Sequence, residues 1–302
     1  MLAAQQPQYP HSAWSGVFCA TLTPFVSEVG TIDPDWIPGH LRFLESHGVA
    51  GVLPLGTTGE GPSCSLDERK RVLDTVLAHR NTLRVLAGTG CTSLAETIEL
   101  SRYATEQGAD AVLVMPPFYY RTVAEAGIIR YYQAVCDALP GDARLILYHI
   151  PAMTGVPITP TILDYLLTSH GPQIAGIKDS SGDPCHTAEL VQRYPGLAIY
   201  SGSDSHAASS LAVGVVGVIS ALANAWPDRV CAVFQASRRG GDVAAAQAPL
   251  SAAREAVRGF AIPAVLKAVL PWTSGLPRTS VRAPLSNLSD EETVQLREGL
   301  GM

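Results

Sequence analysis

Eight short apolar runs, rich in β-branched residues and bounded by Gly, Pro or Asp, recur at a regular interval up to residue 220. They cover 17–22, 50–55, 84–88, 111–115, 145–149, 175–178, 198–201 and 216–220. After them come segments with helical spacing of apolar residues, at 34–46, 65–79, 93–107, 123–139, 159–169, 184–193, 205–213 and 227–237. A near-continuous apolar run of strand length is what a strand covered on both faces requires, and parallel sheets bury both faces. Eight βα units of this kind predict an α/β fold, a (β/α)8 TIM barrel. A doubly wound open sheet fits less well, because no G-x-G-x-x-G opens a helix and eight units are many for one open sheet. Several helix starts are legible: Ser65 and Ser93 each stand three residues before a glutamate, Glu68 and Glu96, as a capping box requires.

After about Ala225 the strand signal stops. Alanine-rich helical segments follow at 242–258 and 262–270, and a last one opens at the polar stretch 287–292. The expected organisation is a flexible lead over 1–14, the barrel over 15–225, and the last barrel helix with a C-terminal helical extension over 226–302. The apolar faces of that extension need cover, from the barrel or from another subunit.

A formal charge of -6 and the lack of any basic run argue against a nucleic-acid or anionic-membrane partner, which leaves small molecules. No stretch reaches roughly 18 apolar residues, and the first ten residues lack the basic-then-apolar pattern of a signal peptide, so a cytoplasmic location is expected. The six cysteines contain no Cys-x-x-Cys pair and the histidines no metal-type spacing; reduced thiols and no metal site are expected.

Lysine is scarce: Lys70, Lys178 and Lys267 are the only three. Arginine can carry surface charge, but only lysine offers an amine that burial can deprotonate and turn into a nucleophile. Lys178 ends the run 174–177 just before a turn-forming stretch, at the strand end where barrel enzymes keep their chemistry. The alternative for it is a strand-end lysine paired with a carboxylate. Lys70 and Lys267 read as ordinary helix residues.

The other strand ends add Gly56-Thr57-Thr58-Gly59-Glu60, Pro116-Pro117-Phe118-Tyr119-Tyr120, Tyr148-His149-Ile150-Pro151, Ser201-Gly202-Ser203-Asp204 and Asn224. Threonines between glycines leave backbone N–H groups free for a carboxylate, and a phenol beside an amine can shuttle protons. Singly, each has a plainer meaning: Gly-Thr-Thr-Gly can be just a turn, Asp204 a helix N-cap. Glu60 and Asp179 read equally as structural or functional.

Together, Gly56-Thr57-Thr58-Gly59-Glu60, Tyr148-x-x-Pro151 and Gly176-Ile177-Lys178-Asp179 resemble the dihydrodipicolinate synthase and N-acetylneuraminate lyase family of pyruvate-dependent class I aldolases. The resemblance runs from Gly16-Val17-Phe18 and Thr23-Pro24-Phe25 to the terminal helices. It implies Lys178 as the Schiff-base lysine, Tyr148 as the proton-transfer phenol, and Thr57 and Tyr119 as a hydroxyl relay, with Tyr119 lent across a tight dimer. It further implies that Thr58, with the backbone at Gly56, holds the pyruvate carboxylate, that the Ile219 carbonyl faces the imine, and that no cofactor is needed. A homotetramer built from tight dimers is the implied assembly, with pyruvate and an aldehyde as small-molecule partners.

One residue departs from the synthase pattern: Met153 stands where the resemblance implies an arginine gripping a carboxylate of the aldehyde. A thioether cannot make that charge-assisted, bidentate contact. The motif is thus more similar to the 2-keto-3-deoxygluconate aldolase and N-acetylneuraminate lyase branch, where residues matching Ser180, Gly202 and Asp204 meet substrate hydroxyls. The expected activity is carbon–carbon lysis or formation of a 4-hydroxy-2-oxo acid, a 2-keto-3-deoxy sugar acid. The alternatives are dihydrodipicolinate (4-hydroxy-tetrahydrodipicolinate) synthase and, from another class, a non-catalytic barrel that binds a keto acid.

Overall fold

The computed structural model of the protein describes residues 14–301. Eight strands close into one parallel barrel, each paired with the next and the last with the first. They are β1 (Gly16–Cys19), β2 (Gly51–Val52), β3 (Arg84–Gly88), β4 (Ala111–Val114), β5 (Leu145–His149), β6 (Ile174–Asp179), β7 (Ala198–Ser201) and β8 (Gly217–Ser220). The helices are α1 (Ile37–Ser46), α2 (Leu66–His79), α3 (Leu94–Glu106), α4 (Glu125–Asp137), α5 (Pro151–Thr154), α6 (Pro160–His170), α7 (Pro184–Arg193), α8 (Ala207–Val213) and α9 (Pro227–Arg239). The C-terminal helices α10 (Val243–Ala256), α11 (Ile262–Ser274) and α12 (Asp290–Leu300) follow. Among the described residues no helix is long and apolar enough to cross a membrane.

Strand alternation sorts the core into two layers. Phe18, Leu53, Leu86, Leu113, Ile146, Tyr200 and Ile219 fill the barrel, while Val17, Val52, Val85, Val112, Leu147, Ile177 and Val218 pack under the helices. Of the expected flexible lead, residues 1–13 lie outside the described residues. Trp14 sits under the barrel floor, where Tyr200 Oη donates to its carbonyl at 2.8 Å and the Arg84 guanidinium lies 5.8 Å from its ring centroid. Tyr200 in turn meets Phe18 edge-on, with centroids 5.6 Å apart. The floor is filled, so an interior site has to open at the opposite rim.

The caps act as their residue types dictate. Ser65 closes a full capping box with Glu68, and Ser93 accepts from the Glu96 N–H. Ser289 makes a second full box with Glu292 at the start of α12. Differences from the expected bounds have local causes. Strand β2 stops well short of residue 55 because Pro54 lacks an N–H and Leu55 turns into the left-handed region at φ 63°. The short helix α5 was not foreseen; Pro151 starts it and Gly155 at φ 66° ends it.

At two strand pairs, β6 with β7 and β8 with β1, the backbones approach so closely that only hydrogen fits on Cα. A Cβ on Gly176 would stand 2.4 Å from the Ala198 carbonyl oxygen, and one on Gly217 would stand 2.1 Å from that of Gly16. Both obstacles are backbone and cannot swing aside. Gly176→Ala and Gly217→Ala should each destabilise the protein by about 1–3 kcal/mol or more, read as a lower urea midpoint with an unchanged m-value.

Candidate active site

Parallel pairing sets Tyr148 of β5 directly beside Lys178 of β6. Both side chains therefore leave the sheet on the same face, into the barrel. Lys178 is 4% exposed, and its Nζ lies 4.2 Å from the Tyr148 ring centroid. No described residue forms an ion pair with it, so the salt-bridged strand-end alternative finds no carboxylate here. The amine rests against a π face above the aromatic floor made by Tyr200, its neighbour on β7.

Thr57 joins this pair from the β2 loop, its Oγ1 3.4 Å from the Tyr148 hydroxyl. The loop is tightly built. Glu60 N–H donates to the Thr57 carbonyl at 3.1 Å, Gly61 N–H to that of Gly56 at 3.1 Å, and the Thr23 hydroxyl to that of Gly59 at 2.6 Å. A Cβ on Gly59 would stand 2.6 Å from the Thr21 carbonyl oxygen, and one on Gly56 2.4 Å from Leu53 Cδ2. Two non-glycine residues with positive φ, Leu55 at 63° and Glu60 at 52°, flank the turn. Thr58 is half-buried on it. The expected amine, phenol and hydroxyl thus converge.

The remaining expected residues are spread more widely. Tyr119 is 73% exposed and packs edge-on against Tyr120. Met153 on α5 is 61% exposed at the rim. Ile219 stands opposite Phe18 on β8. Gly202 and Ser180 abut, since a Cβ on Gly202 would lie 1.9 Å from Ser180 Oγ. Asp204 is buried and turned toward the β8 end, accepting from the Ser220 hydroxyl and from the Leu222 N–H at 3.2 Å. Burial raises its pKa against the pull of these donors. It is not the N-cap of α8, a position that falls to His206. Asn224 ties β1 to the β8 end, accepting from Leu22 N–H and donating to the Ala20 carbonyl.

Two clusters were not read from the sequence. On the outer face of the same strand ends, His149 and Asp179 follow Tyr148 and Lys178 and point to α7. Asp179 accepts from Thr187 Oγ1 at 2.7 Å and from Ser181 N–H at 3.0 Å, and His186 Nδ1 lies 3.1 Å from it, within ion-pair distance but off the angle of a directed hydrogen bond. Burial pushes the Asp179 carboxyl up, but His186, Thr187 and Ser181 together hold it below its usual range. The three potential ligand atoms of His149, Asp179 and His186 lie within 4.8 Å of one another. Yet Ile158 N–H donates to His149 Nδ1 at 3.0 Å, which leaves the proton of the neutral ring on Nε2 and spoils that nitrogen as a metal ligand.

The second cluster corrects the reading of Lys267 as an ordinary helix residue. Lys267 and Glu60 form an ion pair at 2.6 Å with both side chains 1% exposed. The fully apolar surroundings of Lys267 in α11 concealed this, and the only signal was the position of Glu60 directly after the Gly-Thr-Thr-Gly turn.

Residues 13–301 match the model of the family described as the dihydrodipicolinate synthetase family. The chain is 56% identical over 282 residues to an uncharacterized DapA-like lyase of Chloroflexus aurantiacus, covering 93% of this chain and 94% of the relative. It is 36% identical over 290 residues to the 4-hydroxy-tetrahydrodipicolinate synthase of Haloarcula marismortui, covering 94% and 92%. Among solved structures it superposes on a catalytic lysine mutant of the Ruminococcus gnavus sialic acid aldolase with a TM-score of 0.90 at 26% identity, covering 96% and 95%.

The outer cluster has a pH signature. Burial lowers the pKa of His149 from 6.5 to about 4, so on acidification the unfolded chain takes a proton that the folded chain refuses. Stability contributed here therefore falls as pH drops from 6.5 toward 4, by up to about 1.4 kcal/mol per pH unit. His186 acts oppositely: Asp179 raises its pKa, so that contribution is full below 6.5 and is lost as pH rises through the raised value. His149→Asn, which keeps an acceptor for Ile158, should flatten the acid limb of a plot of urea midpoint against pH and leave the alkaline limb unchanged.

Proposed function

Because this chain belongs to the dihydrodipicolinate synthetase family, we propose that it is a Schiff-base aldolase that uses pyruvate, with a 2-keto-3-deoxy sugar acid or a similar hydroxylated 2-oxo acid as its substrate. The observation that carries this reading is the convergence on Lys178: a buried amine without a carboxylate partner among the described residues, against the ring of Tyr148, with Thr57 on the phenol oxygen.

In this reading the Lys178 amine adds to the C2 carbonyl of the oxo acid, and the carbinolamine loses water to give an iminium. Tyr148 moves the protons of both steps, relayed through Thr57. In the cleavage direction the iminium takes up the electron pair of the C3–C4 bond, the C4 hydroxyl loses its proton, and the aldehyde leaves. The enamine is then protonated at C3, and water releases pyruvate and the amine. Condensation is the reverse. The Gly56–Gly59 turn offers its N–H groups to the C1 carboxylate. Tyr119, exposed on one copy, completes the relay of a second copy in a tight dimer of the proposed tetramer.

Met153 supports the sugar-acid branch, because it offers no charge to an aldehyde that carries a carboxylate. A specific observation supports the synthase as the second reading, beside the relatives of that name. The Arg121 stem lies over Gly155, its Cδ 2.8 Å from where a Cβ would stand, so the β4 loop brings an arginine to the same rim.

Pyruvate with borohydride should fix a reduced pyruvyl group on Lys178, seen by peptide mass, and Lys178→Met should abolish it. An unlabelled wild type would end the Schiff-base reading; labelling without turnover of any substrate would leave a keto-acid-binding barrel. Tyr148→Phe should lower kcat by roughly 10²- to 10⁴-fold, as loss of a general acid–base does.

The substrate is a separate question, answered by pyruvate release from a panel of keto-deoxy sugar acids and by condensation with aspartate semialdehyde. Cleavage of the sugar acids is expected, with aspartate semialdehyde used well only after Met153→Arg. Efficient use of that aldehyde by wild type, lost in Arg121→Ala, would make the protein a synthase.

A further inference from the structure

Of the three lysines, two are buried, and the mechanism uses only Lys178. The other ties the far end of the chain to the loop that carries Thr57 and Thr58. Lys267 Nζ sits 2.6 Å from Glu60 Oε1, donates to the Ser280 carbonyl at 2.7 Å, and lies 4.6 Å from the Phe25 ring centroid. The second oxygen of Glu60 accepts from the Arg282 N–H at 2.8 Å. Both carboxylate oxygens are thus held from the C-terminal segment, 207 and 222 residues along the chain.

Glu60 is also a backbone hinge of the turn. It holds φ 52°, ψ 34°, a left-handed conformation that an L-residue with a side chain keeps only when its surroundings enforce it. Leu55 at φ 63° does the same at the other end. Between them the turn is closed by the Glu60 N–H to Thr57 and Gly61 N–H to Gly56 hydrogen bonds. A glutamate free to rotate could let this backbone relax toward an extended form and carry Thr57 and Thr58 with it. Clamped at both oxygens, it cannot.

We propose that the Glu60–Lys267 ion pair is a positioning device for the Gly56–Gly59 turn, setting the N–H groups of Thr57 and Thr58 and the Thr57 hydroxyl for the bound 2-oxo acid. This rests on reading that turn as the oxo-acid carboxylate site. Burial lowers the pKa of Lys267, and the Glu60 carboxylate beside it pulls it back up. Replacing only one partner would bury a bare charge, whereas removing both charges leaves a site that can still pack.

The plainer role is a tie that merely holds the terminal helices on the barrel. Arg282 is such a tie, since its guanidinium grips Glu68 at 2.7 and 2.9 Å and the Ser63 and Gly30 carbonyls. It therefore serves as the control.

The test is the pyruvate concentration that half-saturates borohydride trapping at Lys178 in the full-length protein, a quantity independent of how much of a sample is folded. Wild type, Lys267→Met, the charge-free Glu60→Gln/Lys267→Met and Arg282→Met are compared, with melting temperatures alongside. Roughly tenfold more pyruvate should be needed in the double variant and at least that in Lys267→Met, because small misplacements of an oriented site are costly. Arg282→Met should melt lower with half-saturation within about twofold of wild type. The inference is overturned if the double variant half-saturates like wild type, or if Arg282→Met shifts half-saturation as much as the pair does. Wild type that is not trapped at all would instead fail the proposed reaction, and the inference would go with it.

Discussion

The pairing of β5 with β6 is the constraint from which the site follows. In a parallel ladder the residues facing each other leave the sheet together, so placing Tyr148 opposite Lys178 delivers phenol and amine to one interior without any loop having to bring them there. The filled floor of Phe18, Tyr200 and Trp14 closes the other exit. A small molecule would enter from the opposite rim, where barrels of this architecture keep their sites.

The same pleat explains why the outer face is ionic. One residue beyond Tyr148 and Lys178 the side chains point away from the barrel, and His149 and Asp179 meet α7 through His186 and Thr187. Asp179 is thereby committed to holding a helix against the end of the strand that carries the lysine. Its negative charge is directed outward and matched there. A carboxylate at Lys178 itself would stabilise the ammonium form and work against nucleophilic use of the amine.

How far the sequence could be read follows from which interactions are local. The eight strands and most helices were legible because short apolar runs buried on both faces and period-3.6 burial leave their mark within a dozen residues, and Ser65, Ser93 and Ser289 act through neighbours three positions away. Lys178 stood out because a lysine in a lysine-poor chain ends a strand, and Tyr148 because it opens the Tyr-x-x-Pro motif at another strand end. What stayed hidden depends on distant partners or on backbone strain. Lys267 needs Glu60, 207 residues earlier, and inside its apolar window looked like a helix residue of no consequence. Leu55 and Glu60 carry no local sign of positive φ, which glycine or asparagine would have given. The partners of Asp204 in the Ser220–Leu222 turn stand 16 and 18 residues ahead, past the reach of a local pattern.

These distant contacts change what the C-terminal helices are. Helix α11 is buried almost all round from Ala264 to Leu270, which marks it as an interior element. From it a lysine reaches through the shell to the first loop of the site, while Arg282 clamps Glu68 at the start of α2 and lies 4.2 Å from the Phe25 ring centroid. Phe25 itself pairs with Ser280 by backbone. Barrel loop, strand-end segment and terminal helices thus share one polar network, in which Glu60 pairs with Lys267 and Glu68 with Arg282. A network of that kind is poorly suited to a detachable appendage. It fits a protein in which the last part of the chain completes the rim that the first part begins.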